Sequence, residues 1–139
     1  SSYGSFNVFA NGEFKARAFQ FKANLSSTNT NQNINVQQLG YTAILPSRTE
    51  QSTTTIASGT ASGGKTITFA KPFFVGTASL GGANAYLPSI GITAQNMASG
   101  DFFTITNVSG TGFTVKFLNG STVLDRNFTY QAVGFGKGV

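Results

Sequence analysis

The 139-residue chain carries four carboxylates, Glu13, Glu50, Asp101 and Asp125, and has neither histidine nor cysteine. That inventory bounds the available chemistry. Without imidazole or thiolate there is no Ser–His or Cys–His nucleophile, and no metal site built on those ligands. Glycoside hydrolysis needs two carboxyl groups flanking one bond, about 5 to 10 Å apart. Asp101 and Asp125 sit near strand ends of the same stretch and are the pair to test for it. Asp125 beside Arg126 reads more simply as a charge pair at the end of a turn. No Ser–Lys motif is found. Gly110-Thr111-Gly112 and Gly134-Phe135-Gly136 are not followed by a helical pattern. They read as tight turns and close backbone approaches rather than as phosphate cradles. The expectation is a chain with no catalytic role, no cofactor and no metal.

Sugar recognition is the other chemistry these residue types allow. It needs a planar aromatic for the apolar sugar face, and amides, carboxylates or arginine for the hydroxyls. There is no tryptophan, and the aromatic most clearly outside a core pattern is Tyr86, in Ala83-Asn84-Ala85-Tyr86-Leu87. Asn84, Asn96 and Asp101 share its irregular stretch, and Asp125 and Arg126 follow a neighbouring turn. The candidate ligand-binding set is therefore Asn84, Tyr86, Asn96, Asp101, Asp125 and Arg126. It is expected on loops at one end of the fold: Gly81 to Tyr86, Gln95 to Asp101, and the turn before Arg126. The competing reading is that Tyr86 anchors its loop and the asparagines make local turns.

Those loops need a scaffold, and the last third of the chain supplies its clearest pattern. Phe103 and Ile105 alternate with Thr104 and Thr106; Phe113, Val115 and Phe117 alternate with Thr114 and Lys116; Phe128, Tyr130 and Ala132 alternate with Thr129 and Gln131. Period-two alternation turns one face of each strand into a core. Ser109 to Gly112 and Asn119-Gly120 supply hairpin turns. Thr104, Thr106, Val108, Leu118 and Val133 are expected to face outward, weakly solvated and easily buried against a partner.

Upstream, Ile67 to Phe69, Phe73 to Ser79 and Ile90 to Thr93 read as strands. Arg48 to Gly64 reads as a linker or exposed loop, with an edge strand around Thr53 to Ala57. Phe6 to Phe9, Phe14 to Leu25 and Ile34 to Leu45 read as further strands. The Asn11-Gly12 turn lies between the first two, a phase switch falls near Ala18 and Phe19, and Pro46 stops the last. No helix is expected.

Composition agrees. Charged residues make up 9% of the chain, against about 25% in an average soluble domain. Phenylalanine occurs 14 times, and the net charge is +5. The nine basic residues are scattered singly rather than clustered, so nucleic-acid binding is not expected. A mildly cationic surface would speed encounter with anionic polysaccharide. No apolar run approaches the ~18 residues of a spanning helix, and membrane insertion is not expected.

The phrases Phe113-Thr114-Val115-Lys116-Phe117, Asn119-Gly120 and Phe128-Thr129-Tyr130-Gln131-Ala132-Val133-Gly134-Phe135-Gly136-Lys137 resemble the C-terminal modules of tailed-bacteriophage tail-fibre and tail-tip (host-specificity) proteins. The likeness extends through Lys65 to Phe69 and Pro88 to Thr93, about the last 75 residues. A weaker likeness covers Ala16 to Ala23.

The resemblance implies an all-β, antiparallel β-sandwich of H-type-lectin-like fold, working as a homotrimer. It implies an N-terminal β segment over residues 1–50 that connects to an upstream fibre or tail-tip body. Residues 51–139 would then be a receptor-binding sandwich. The implied partners are further copies of the chain, other tail proteins, and a saccharide or lipopolysaccharide of the bacterial surface. The implied location is the virion, outside the cell. Ser1 in place of an initiator methionine fits a processed N-terminus or a piece of a longer chain, the piece being favoured. A purely structural virion protein (collar, adaptor or decoration) and a fragment of a glycan-cleaving tailspike are the alternatives.

Overall fold

The computed structural model describes residues 4–8, 19–31, 34–40, 44–78 and 81–136. The chain divides into two units, Ser1–Thr42 and Ala43–Val139. All strands among the described residues lie in the second. They are β1 (Ser47–Gln51), β2 (Ile56–Ala57), β3 (Lys65–Thr68), β4 (Ser89–Gln95), β5 (Asp101–Thr106), β6 (Gly112–Asn119), β7 (Thr122–Leu124) and β8 (Asn127–Phe135). No helix occurs among the described residues. The boundary expected between residues 50 and 51 falls inside β1.

Two antiparallel sheets form, each built on one long strand. In the first, β8 pairs with β4 from Ser89↔Val133 to Gln95↔Asn127. Its other side is shared by β1, from Ser47↔Phe135 to Gln51↔Gln131, and β2, at Ile56↔Phe128 and Ala57↔Asn127. In the second, β6 pairs with β5 along Asp101↔Asn119 to Thr106↔Thr114. Its other side is shared by β3 and β7. The short strands on each shared side thus behave as one interrupted strand. At the first break, between β1 and β2, Ser52 Oγ accepts from the Tyr130 N–H at 3.0 Å and keeps the ladder satisfied.

The inner faces meet in one core, as a β-sandwich requires. Phe113, Val115, Phe117 and Phe128 are essentially fully buried, with Ile67, Phe69, Phe73 and Ala132 around them. Phe117 and Phe128 bring the sheets together at 5.7 Å between ring centroids, and Phe113 meets Tyr130 edge to face at 5.4 Å. Burying each phenylalanine contributes about 1.5–3 kcal/mol against the entropy of ordering it. Gly134 is required by close approach. A β-carbon there would fall 2.7 Å from the Phe73 ring and 3.1 Å from Pro88. Ile105 and Tyr130 pack against this core as expected, while Phe103 remains partly in solvent beside Phe117.

Several elements differ from expectation. The supposed linker contains β1, whose inward positions are Arg48 and Glu50 rather than apolar residues. Phe73 to Ala78 is not a strand. Gly76 takes φ +99, and only bridges at Phe74↔Phe135 and Thr77↔Gly81 form. Ser79 lies outside the described residues. Val108 packs toward the core instead of outward, because Asn107 takes φ +53 and reverses the alternation.

In the first unit the described residues 4–8, 19–31 and 34–40 form no strand, and all are exposed. A turn at Ser27–Asn31 is held by Asn29 Oδ1 accepting from the Asn31 N–H at 2.9 Å. Strands were expected at Phe6 to Phe9, Phe14 to Leu25 and Ile34 to Leu45. Alternation marks a face that a strand would bury, but a strand forms only against a partner ladder. Of those expectations, Phe9, the Asn11-Gly12 turn, residues 14–18 and residues 41–43 lie outside the described residues.

Candidate functional site

Asp101 opens β5 opposite Asn119, the last residue of β6. Its Oδ2 accepts from the Ala98 N–H at 2.8 Å and from Arg126 Nε and Nη2, each at 2.7 Å. Its Oδ1 accepts from Asn119 Nδ2 at 2.9 Å. The Asp101 side chain has no exposed surface, and that of Arg126 is 22% exposed. The Ala98 N–H, then the Arg126 and Asn119 hydrogen bonds, hold the Asp101 carboxyl down at about 2. Such a group carries no proton to give near neutral pH.

Arg126 also donates from Nη1 to the Asp125 carbonyl at 3.0 Å. Asp125 accepts from the Gly59 N–H at 2.7 Å, and the Ser58 hydroxyl accepts from the Arg126 N–H at 2.9 Å. The structure thus brings Asp101, Asp125 and Arg126 together. Two partners missing from the sequence reading, Asn119 and Ser58, complete the group. Asn119 carried only a hairpin signal, and Ser58 was one serine among many in its stretch. Asn96 lies at the same end, exposed, in the β4–β5 turn, with φ +57. Asparagine tolerates that left-handed conformation better than most residues.

Tyr86 belongs to a different place. Its ring stacks on Phe74 (6.2 Å, 25° between planes) and stands edge-on to Phe135 (5.9 Å, 83°). Its backbone N–H donates to the Val75 carbonyl at 3.1 Å. Gly81, at φ +76, passes so close that a β-carbon there would sit 2.5 Å from the ring. Tyr86 is therefore a loop anchor, yet it remains 38% exposed, beside Phe135 at 41% and Leu87 at 42%. Asn84, at φ +62, turns the chain just before it.

Below this aromatic step lies a second arginine clamp that the sequence reading did not single out. Arg48 Nη1 donates to Glu50 Oε2 at 3.1 Å, Nη2 donates to the Lys71 carbonyl, and the guanidinium lies 3.8 Å above the Phe73 ring. Glu50 Oε1 accepts from the Ala70 N–H at 2.7 Å. Arg48 Nε is buried without a hydrogen-bond partner among the described residues.

The six candidate residues therefore do not share one end of the fold. Tyr86 and Asn84 precede β4, while Asn96 and Asp101 follow it. Seven extended residues carry the chain about 20 Å. Arg126 immediately precedes β8 and Phe135 ends it. Glu50, Asp101 and Asp125 each accept a backbone N–H from a neighbouring loop, and Glu13 lies outside the described residues. Among the described residues no group of three or more acidic side chains is placed to hold a metal ion. Set against protein-family models, curated proteins and solved structures, the chain finds no match in any of the three.

Proposed function

We propose that this chain is the receptor-binding module of a tailed-phage tail fibre or tail tip, H-type-lectin-like and homotrimeric. It attaches to a saccharide of the bacterial surface and performs no chemical step. The observation that carries the reading is the aromatic step in which Tyr86 and Phe135 are exposed and Phe74 is half-buried beneath Tyr86. It offers exposed aromatic surface where the Tyr86 loop is anchored against the end of β8, with the Asn84 amide close by in sequence. Rigid aromatics lose little entropy on binding, and loops on a fixed scaffold can vary without disturbing the core. The Asp101–Arg126 group serves as a loop lock, so the proposed site narrows to the Tyr86 end. Weak single sites gain useful strength when several engage together.

The test is adsorption of the purified protein to candidate host cells, with Tyr86→Ala and Arg126→Ala compared with the parent. Loss of adsorption in Tyr86→Ala, with folding and oligomeric state retained, supports the site. Adsorption equal to the parent's overturns it. A parent that adsorbs to no host, with the Tyr86 end covered in the assembled particle, favours the purely structural role. Light scattering that shows a stable monomer counts against the trimer.

A further inference from the structure

Asparagine is followed by glycine twice in the chain, at Asn11-Gly12 and Asn119-Gly120, and the second pair lies among the described residues. Every other asparagine is followed by a residue that carries a β-carbon. The distinction is chemical. The carboxamide carbon of an asparagine lies within ring-closing reach of the next residue's backbone nitrogen. Glycine lets that nitrogen approach from conformations closed to other residues.

The fold puts this pair at an exposed tip. Asn119 ends β6, pairs with Asp101 on one side and Thr122 on the other, and is exposed together with Gly120. Gly120 enters the turn to β7 at φ +59, and a β-carbon there would meet nothing within 4 Å. What restrains the carboxamide is the lock around Asp101. Asn119 Nδ2 donates to Asp101 Oδ1 at 2.9 Å and to the Ser99 carbonyl at 3.2 Å. Gly100 lies against it, since a β-carbon at that position would fall 3.2 Å from Nδ2. While these bonds hold, the carboxamide is committed to the β4–β5 turn. Cyclisation requires it to let go, and the nitrogen that makes both bonds is the one that must leave.

We propose that Asn119 is a site of spontaneous covalent modification, with water as the only reagent, and that the reaction disables the lock at Asp101. The Gly120 nitrogen attacks Asn119 Cγ and forms the new C–N bond. The Cγ–Nδ2 bond breaks, and Nδ2 leaves as ammonia with the bonding electron pair and the Gly120 proton. Water then opens the resulting cyclic imide at either carbonyl. One opening gives aspartate; the other gives isoaspartate, whose main chain runs through Cγ. An ionised carboxylate only accepts hydrogen bonds. Asp101 Oδ1 and the Ser99 carbonyl therefore lose a donor, and Asp101 meets a like charge instead. Isoaspartate also lengthens the main chain of β6 by a carbon atom, at the residue that pairs with both Asp101 and Thr122. Arg126 and the Ala98 N–H are left to hold Asp101. Opening of the lock is reversible, and the modification is not. The inference concerns the lock and stands whether or not the chain binds a saccharide.

The test holds the full chain in neutral buffer at physiological temperature, beside the same chain in urea, and maps the peptides by mass and chromatography. The folded parent should accumulate both acid forms at position 119, more slowly than the urea sample. Asp101→Ala frees the carboxamide. With its β6 and β8 amides still protected, it should convert about tenfold faster than the folded parent, the factor that losing one hydrogen bond to a charged group puts on a local opening. Gly120→Ala should keep the amide over the same period. The aged parent, and Asn119→Asp made directly, should exchange the Ala98 amide faster than the fresh parent while the β8 core stays protected. A folded parent that keeps its amide until the urea sample is converted overturns the modification. Conversion of a folded Asp101→Ala at the parent's rate overturns the link to the lock. So does exchange at Ala98 in Asn119→Asp that equals the fresh parent's.

Discussion

The two ends of β8 carry the same device in different surroundings. At each, an arginine holds a carboxylate that also accepts a backbone N–H from a loop. Arg48 and Glu50 are on the inward parity of β1, 10% and 15% exposed, with Phe73 under the guanidinium. Arg126 and Asp101 sit at loop level, where Asn119 and the Ala98 N–H share the work. Breaking a buried pair leaves a charge short of compensation; without its arginine Glu50 keeps one donor, the Ala70 N–H, whereas Asp101, although fully buried, keeps two. The difference shows that one interaction chemistry can act as a core element at one place and as a replaceable tie at another.

Four expectations would break or sharpen that comparison. The largest effect is for Arg48→Ala, which leaves Glu50 with the Ala70 N–H as its one donor and uncovers Phe73. It should cost about 3 kcal/mol in chemical denaturation. If the Arg48 end is no more sensitive than the Arg126 end, the contrast fails. Arg126→Ala should destabilise less, and should speed hydrogen exchange at Ala98 and Gly59 while leaving the β8 core amides protected.

Acid sharpens the contrast through Asp101. Its folded pKa, about 2, lies below its ordinary value near ~4. Its stabilising contribution is therefore complete above about pH 4 and is lost as the pH falls through about 2. Thermal melts across that window should show a smaller decline in Asp101→Asn than in the parent. The smallest stability change is expected for Tyr86→Ala, under about 1 kcal/mol for a part-exposed side chain. Its effect on adsorption should nevertheless be the largest of the set.

How much of this was legible in the sequence depended on what filled the inward positions. β6 and β8 announced themselves because Phe113, Val115, Phe117, Phe128 and Ala132 alternate without exception and are all buried. β1 did not, because its inward residues are Arg48 and Glu50, which no hydrophobic period can flag. Its partner, the closing phrase through Phe135, is nearly the whole unit away in sequence. The loops around the candidate site were legible as irregular stretches. Their separation was not, although it follows from β4. A strand expected at Ile90 to Thr93 necessarily carries Tyr86 and Asp101 to opposite ends. Asp101, Asp125 and Arg126 were singled out as candidate ligand-binding residues, and in the structure they bond to one another and to backbone groups. The alternative reading, a turn-end charge pair of Asp125 with Arg126, is corrected by the structure: Arg126 donates to the Asp125 carbonyl, but its ion pair is with Asp101.

The pairing of β8 has a kinetic consequence. β1, β2 and β4 each pair with β8 and, among the described residues, not with one another. β8 also lies downstream of all three. During synthesis the β5–β6–β7 meander can form from neighbouring residues, but the other sheet has no template until residues 127–135 have emerged. Non-local pairing of this kind slows folding. Refolding followed by pulse-labelled exchange should show β5 and β6 protected before β1, β2 and β4. These three strands should then gain protection in a single phase, because they wait for the same strand.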